Sequence, residues 1–212
     1  LDGNGVLHPL SASPDQVAAD GGGAAEATLD HLCEAHNRAA TADEADRATA
    51  LDSCRDCVVV GDARGTVRLW PLRGQLTDEA PARRLHQAPL SAVTCLHLPR
   101  DGRTVVSSAG FDGCIRLWEV SEPAADPLPE PLERRPALVT ALSAALTAQG
   151  PVLAAVWSDL RLHLWHLDSG RLRVLPLLHP CDAVTLDPEG RLTVGGAQGL
   201  YAVRLHLARL WQ

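Results

Sequence analysis

The sequence predicts an all-β fold, a β-propeller of repeated four-stranded sheets, on three observations. Residues 93–98, 104–108 and 114–120 are apolar or β-branched runs separated by Asp101-Gly102 and Asp112-Gly113. Asp-Gly between such runs marks a tight hairpin, because Gly accepts the positive φ that the turn demands. The first run, Val93-Thr94-Cys95-Leu96, is echoed by Ala48-Thr49-Ala50-Leu51, Val139-Thr140-Ala141-Leu142 and Ala183-Val184-Thr185-Leu186, at a period of about 45 residues that suits a propeller blade. Each echo is followed by two more runs: 57–60 and 66–70, 152–157 and 162–165, 192–195 and 200–204. One such meander cannot bury both faces alone. Stacked radially, the inner strands are covered on both sides and carry nearly continuous apolar residues.

Phe111-Asp112-Gly113-Cys114-Ile115-Arg116-Leu117-Trp118-Glu119 resembles the third strand of the WD-repeat family, D-G-x-(I/V)-(R/K)-L-W-(D/E), with weaker copies at 65–70 and 159–165. The resemblance covers about residues 46–212. It implies a buried hydrogen-bonded set made of a His before the first strand, a Ser or Thr of the second, the turn Asp and the Trp of the third. In the second blade these positions fall on His86, Ser108, Asp112 and Trp118. The first blade has Trp70 but Arg64 at the Asp position, and the third keeps Asp159 and Trp165 but has Ala155 for the Ser. The fourth has Gln198 and Arg204 where Asp and Trp belong. The family usually has about seven blades. Four, at about 46–85, 86–135, 136–178 and 179–212, would leave raw sheet edges, an aggregation hazard. The expectation is therefore part of a larger ring, or a ring completed by residues 1–45 and a partner.

Composition bounds the function. The 212 residues are 46% hydrophobic, enough for one large domain with a substantial core. Aromatics are only 3% and the apolar fraction rests on Ala, Leu and Val, a compositional bias rather than a functional signal. A net charge of −7 argues against a general nucleic-acid binder, which presents a basic stripe to the phosphate backbone. Six Cys scattered through apolar elements behave as small hydrophobes and suit a reduced cytoplasmic or nuclear compartment. No run reaches the roughly 18 apolar residues of a membrane span. The chain opens on Leu1 without a signal-peptide pattern and holds no Met, so a longer polypeptide is expected.

Taken in order, residues 1–12 read as the tail of a preceding blade, with Gly3-Asn4-Gly5 before an apolar run. Residues 13–45 are an Ala/Gly-rich linker or insertion, partly helical, with Leu29, Leu32, Ala35, His36 and Ala39 near helical spacing. In the first blade Cys57-Val58-Val59-Val60 is the clearest buried strand. The second ends in a segment, 121–131, with four prolines, which belongs at an outer rim because proline removes a ladder donor. In the third blade Asp168-Ser169-Gly170 turns the chain, and in the fourth Asp187-Pro188-Glu189-Gly190 repeats the chemistry of Pro99-Arg100-Asp101-Gly102. Residues 210–212 are expected in an outer strand.

Among chemistry-bearing groups, His31, Cys33 and His36 with Cys54-Arg55-Asp56-Cys57 form the only metal-like constellation. Thiolates and imidazoles so spaced suit tetrahedral zinc, but the zinc deaminase pattern needs a Glu where Cys33 stands and a Pro where Ser53 stands. The reading preferred is a core strand opened by Cys57, with no metal and no cofactor. Ser108, His86 and Asp112 are the residue types of a nucleophilic triad, yet the resemblance assigns them to a structural set. Arg83-Arg84 and Arg134-Arg135 are read as a solvated rim.

The reading that follows is a non-catalytic protein-interaction scaffold, with other proteins as partners and no membrane. By blade register the candidate face residues are Arg64, His86, Phe111, Arg135, Asp159, His179 and Gln198, Phe111 being the only Phe and a natural anchor. Two alternatives stand: an accessory recognition module of a large NTPase or ubiquitin ligase whose active site lies outside this chain, and a zinc-binding protein through Cys54 and Cys57.

Overall fold

The computed structural model describes residues 47–54, 57–71, 81–100, 102–120 and 130–211. The expected partial blade at 1–12, the linker at 13–45 and most of the proline-rich 121–131 segment lie outside them. Among the described residues fifteen strands follow one another in sequence. The first sheet holds β1 (Ala48–Cys54), β2 (Cys57–Asp62), β3 (Thr66–Pro71) and β4 (Ala82–Arg84). The second holds β5 (Leu90–Leu98), β6 (Arg103–Gly110), β7 (Cys114–Glu119) and β8 (Glu133–Arg134). The third holds β9 (Val139–Thr147), β10 (Gly150–Trp157), β11 (Arg161–His166) and β12 (Arg171–Pro176). The fourth has three strands, β13 (Ala183–Leu186), β14 (Arg191–Gly196) and β15 (Gly199–Arg204). Every sheet is a meander of antiparallel neighbours, so the described residues form an antiparallel β fold built from four versions of one unit.

Period-two alternation decides how the sheets stack. On β10, Leu153, Ala155 and Trp157 join a core with Ala92, Ala109 and Ile115 of the second sheet. The intervening Val152, Ala154 and Val156 join another with Leu186, Leu192 and Val194 of the fourth. A third core joins Val59, Val67 and Leu69 of the first sheet to Leu90, Val93 and Val106 of the second. Each sheet thus buries its faces against its sequence neighbours, and this is why β2 and β10 carry unbroken apolar runs. By contrast β15 is exposed at every position, the condition of an outermost strand.

First strands lie side by side in the order β1, β5, β9, β13, and polar side chains lock them together. Asp52 of β1 accepts from the Thr94 hydroxyl at 2.7 Å and from the Cys95 N–H at 3.0 Å. At the matching place on β9, the Ser143 hydroxyl accepts from the Leu186 N–H at 3.0 Å. Thr140 donates to the Cys181 carbonyl at 2.8 Å. A side chain two positions past the Val-Thr-x motif therefore satisfies the backbone of the next sheet, which fixes the stagger between sheets as well as their contact.

Two expectations need correction. The chain end is not a strand: α1 (Leu207–Leu210) is a single helical turn, and Trp211 turns in to the third-to-fourth sheet core, edge-on to His166 at 5.5 Å. Burying one indole outweighs extending an exposed edge. Nor is Arg83 a solvated rim residue, since it is 8% exposed.

Candidate partner-binding face

In each of the first three sheets the turn between the second and third strands is tied to the segment leading into the first strand. The Ala63 N–H donates to the Arg47 carbonyl, Phe111 to Pro89 and Ser158 to Leu138, and in the fourth sheet Asp182 donates to Gly195. All these segments therefore share one end of the stack. Arg64, Phe111, Asp159 and Gln198 lie in the turns, and His86, Arg135 and His179 in the lead-in segments.

Beneath this end lies a buried polar set in the second sheet. His86 is fully buried, so it is not a surface residue. Its Nδ1 stands 3.0 Å from Asp112 Oδ1 and its Nε2 2.9 Å from Ser108 Oγ. Arg116 Nη1 also lies 3.3 Å from Nδ1, but a carboxylate only accepts, so Nδ1–H donates to Asp112 and Nε2 accepts from the Ser108 hydroxyl. Arg116 donates to Asp112 Oδ2 at 3.1 Å, and the Cys114 N–H to Asp112 Oδ1 at 3.2 Å. Burial depresses the His86 pKa in spite of the Asp112 hydrogen bond and charge, so the ring is neutral. Trp118 is buried too, but its indole N–H has no hydrogen-bond partner among the described residues, nor has that of Trp70. The structure thus joins His86, Ser108 and Asp112 and holds Trp118 by packing alone. Ser, His and Asp stand in the order of a nucleophilic triad, yet Ser108 is fully buried and no substrate reaches its oxygen in the folded sheet.

The first and third sheets keep the carboxylate by different means, which the motif alone did not reveal. In the first, Asp62 occupies the place of Gly110, and its Oδ1 accepts from the Arg64 and Thr66 N–H groups at 2.9 and 2.8 Å. Arg68, in register with Arg116, lies 3.6 Å from Asp62 Oδ2. The carboxylate has moved two residues upstream while its backbone donor and its Arg stay in place. In the third sheet Arg135 takes the place of His86. It pairs with Asp159 and stands 5.4 Å over the Trp157 ring, an ion pair joined to a cation–π contact. Glu133 completes this group, 3.0 Å from the buried His163 Nδ1 and 3.5 Å from Arg135. Asp159 and Trp165 are both present, Trp165 buried in the core shared with the second sheet. The fourth sheet offers only Gln198 and Arg204, both exposed, and His179 stacks on Tyr201 at 6.2 Å.

At the surface, three large apolar side chains interrupt the polar end: Phe111 at 52% exposure, Leu138 at 37% and Leu160 at 38%. Leu160 is also the one non-glycine residue with positive φ among the described residues, at 62°. It sits where the first and second sheets have Gly65 and Gly113, at 83° and 69°. A leucine there is strained by about 1 to 2 kcal/mol. Leu160→Gly should therefore raise the melting temperature by about 2 °C, once the extra entropy of an unfolded glycine is set against the relief. Thermal unfolding of the two chains measures this, and an unchanged or lower midpoint would refute the strain. Cys54 and Cys57 lie at the opposite end, paired between β1 and β2 with Sγ atoms 3.0 Å apart. His31, Cys33 and His36 are outside the described residues.

Residues 82–119 match the family described as WD domain, G-beta repeat, a stretch that runs from β4 to β7 and holds His86, Ser108, Asp112 and Trp118. No curated protein matches the chain. Among solved structures, the computationally designed Ika8 protein is similar at 21% identity and a TM-score of 0.54, over 75% of this chain and 46% of that one. The computationally designed Ika4 protein is similar at 20% identity and a TM-score of 0.50, over 74% of this chain and 91% of that one. The chain thus spans less than half the length of the first, and both likenesses are of fold.

Proposed function

We propose that the four sheets are blades of a WD-repeat β-propeller, part of a larger ring, and that this chain is a non-catalytic scaffold holding a protein partner on the turn-bearing end described above. The observation that carries the reading is the exposed trio Phe111, Leu138 and Leu160 set among Arg64, Arg135 and Asp159 at one end of adjacent sheets. Short turns and lead-in segments tied to one another by backbone hydrogen bonds carry these side chains, so little ordering cost falls due on binding, and an aromatic anchor with a charged surround is the composition of an interaction hot spot. Leu160 strengthens it. A strained, half-exposed leucine where glycine would relax the backbone is explained by use of its side chain. The partner is another protein, and the cytoplasm is the compartment proposed.

The experiment compares what the wild-type chain, Phe111→Ala and Arg135→Glu retain in a pull-down. A binder retained by wild type should fall about tenfold with Phe111→Ala, the loss of roughly 1.4 kcal/mol or more expected of an anchor. Arg135→Glu should weaken it as well. Leu160→Gly should bind less although it unfolds later. Unchanged retention in all three would place the binding surface elsewhere.

A further inference from the structure

Three thiols from two sheets meet at one point on the far end of the stack. Cys54 ends β1 and Cys57 opens β2, and the two are paired in register. Cys95 comes from β5 of the next sheet, and the three Sγ atoms all lie within 4.8 Å of one another. Cys95 is held in place by its backbone, whose N–H donates to Asp52, two residues before Cys54. Thus the strand that supplies the first sulfur also fixes the third. Cys57 and Cys95 are buried and Cys54 is half-buried, so the cluster rests on core with one side toward solvent.

We propose that Cys54, Cys57 and Cys95 form a three-thiolate site for a thiophilic cation, zinc in the first instance, which clamps the β1–β2 hairpin tip to the first strand of the neighbouring sheet. Sulfurs bound to one zinc at about 2.3 Å stand roughly 3.8 Å apart, and shifts of about 1 Å or less bring all three to that separation. A disulfide uses two sulfurs and leaves the third idle, whereas a metal uses all three. Thiolates select soft or borderline ions over Mg²⁺ and Ca²⁺. A water or another donor would complete the tetrahedron that zinc requires. Cys114 and Cys181, the other described cysteines, lie in the second sheet and beside the fourth, where no comparable cluster forms among the described residues.

The test uses the full chain, purified reduced and metal-free, with zinc as the ion and cadmium as the optical reporter. Expected are one equivalent of zinc retained through desalting, a sulfur-to-cadmium charge-transfer band, and a rise in melting temperature of about 5 °C with zinc in hundredfold excess over its Kd. With zinc bound, maleimide labelling mapped by mass spectrometry should slow by about fivefold or more at Cys54, Cys57 and Cys95 and stay unchanged at Cys114 and Cys181. Cys95→Ser should lose the zinc and Cys181→Ser should keep it. Where Cys95→Ser does not fold, the labelling map of the wild-type chain decides. The proposal is overturned by zinc retained equally in folded Cys95→Ser, by neither retention nor protection in wild type, or by a Cys54–Cys57 disulfide that persists in excess reductant.

Discussion

Replacing His86 with Ala should lower the free energy of unfolding by about 3 kcal/mol, from a buried cavity plus the hydroxyl and carboxylate left short of partners. The imidazole bridges Ser108 and Asp112, and it lies under the end that carries Phe111. Ser108→Ala should cost only about 1 kcal/mol, since it removes one neutral hydrogen bond and little volume. The same set couples stability to pH. Burial lowers the His86 pKa below its ordinary value, so the unfolded chain takes up a proton that the folded chain refuses. The contribution of the neutral ring is therefore complete above about pH 6.5 and is lost as pH falls below it. Asp112 acts lower on the scale. Burial raises its carboxyl, but the hydrogen bond from His86, the Cys114 N–H and Arg116 together bring it below the usual carboxylate range. Its contribution holds above about pH 3.9 and fades beneath. In denaturant titrations wild type should lose stability from about pH 6.5 downward, and His86→Ala should show a shallower slope there. Parallel slopes in the two chains would mean that His86 does not titrate as a buried neutral group.

Much of the architecture is legible in the sequence because its signals are local. Asp112-Gly113, the apolar run 57–60 and the Val-Thr-x echoes each report a turn, a strand covered on both faces or an inner strand within a few residues. The polar devices are less legible, because space and not spacing decides them. Asp62 supplies the first sheet's carboxylate from a strand end, since a side chain at the Gly110 position points at the same backbone N–H that the turn Asp would reach. A charged residue closing the run Cys57-Val58-Val59-Val60-Gly61-Asp62 is the signal that could have found it. Arg135 replaces a neutral His only because Trp157 fills the space beside it and Asp159 supplies the charge. Cys95 joins Cys54 and Cys57 across about forty residues, and only the stagger set by Asp52 brings it there. The end of the chain departs from its expected strand for a similar reason, since the place that Trp211 fills belongs to the packing of two sheets.

Gly113→Ala should destabilise the chain by about 4 kcal/mol or abolish folding, while Gly102→Ala should cost about 1 kcal/mol. Both glycines have φ 69°, so the conformational penalty of a side chain is the same at each. Their surroundings differ. A Cβ at Gly102 meets nothing within 4 Å, whereas one at Gly113 falls 2.0 Å from the Arg135 carbonyl oxygen. That oxygen cannot swing away cheaply, because the Arg135 N–H donates to the Gly113 carbonyl at 2.8 Å and the guanidinium is held by Asp159 and Trp157. The difference between the two variants therefore isolates the close approach of the β6–β7 turn to the segment that leads into the third sheet. Denaturant midpoints of the two chains measure it, and equal losses would show that the turn conformation alone demands glycine. A larger loss at Gly113 would tie the position of Arg135, and with it the charged part of the proposed binding face, to a residue that has no side chain to offer a partner.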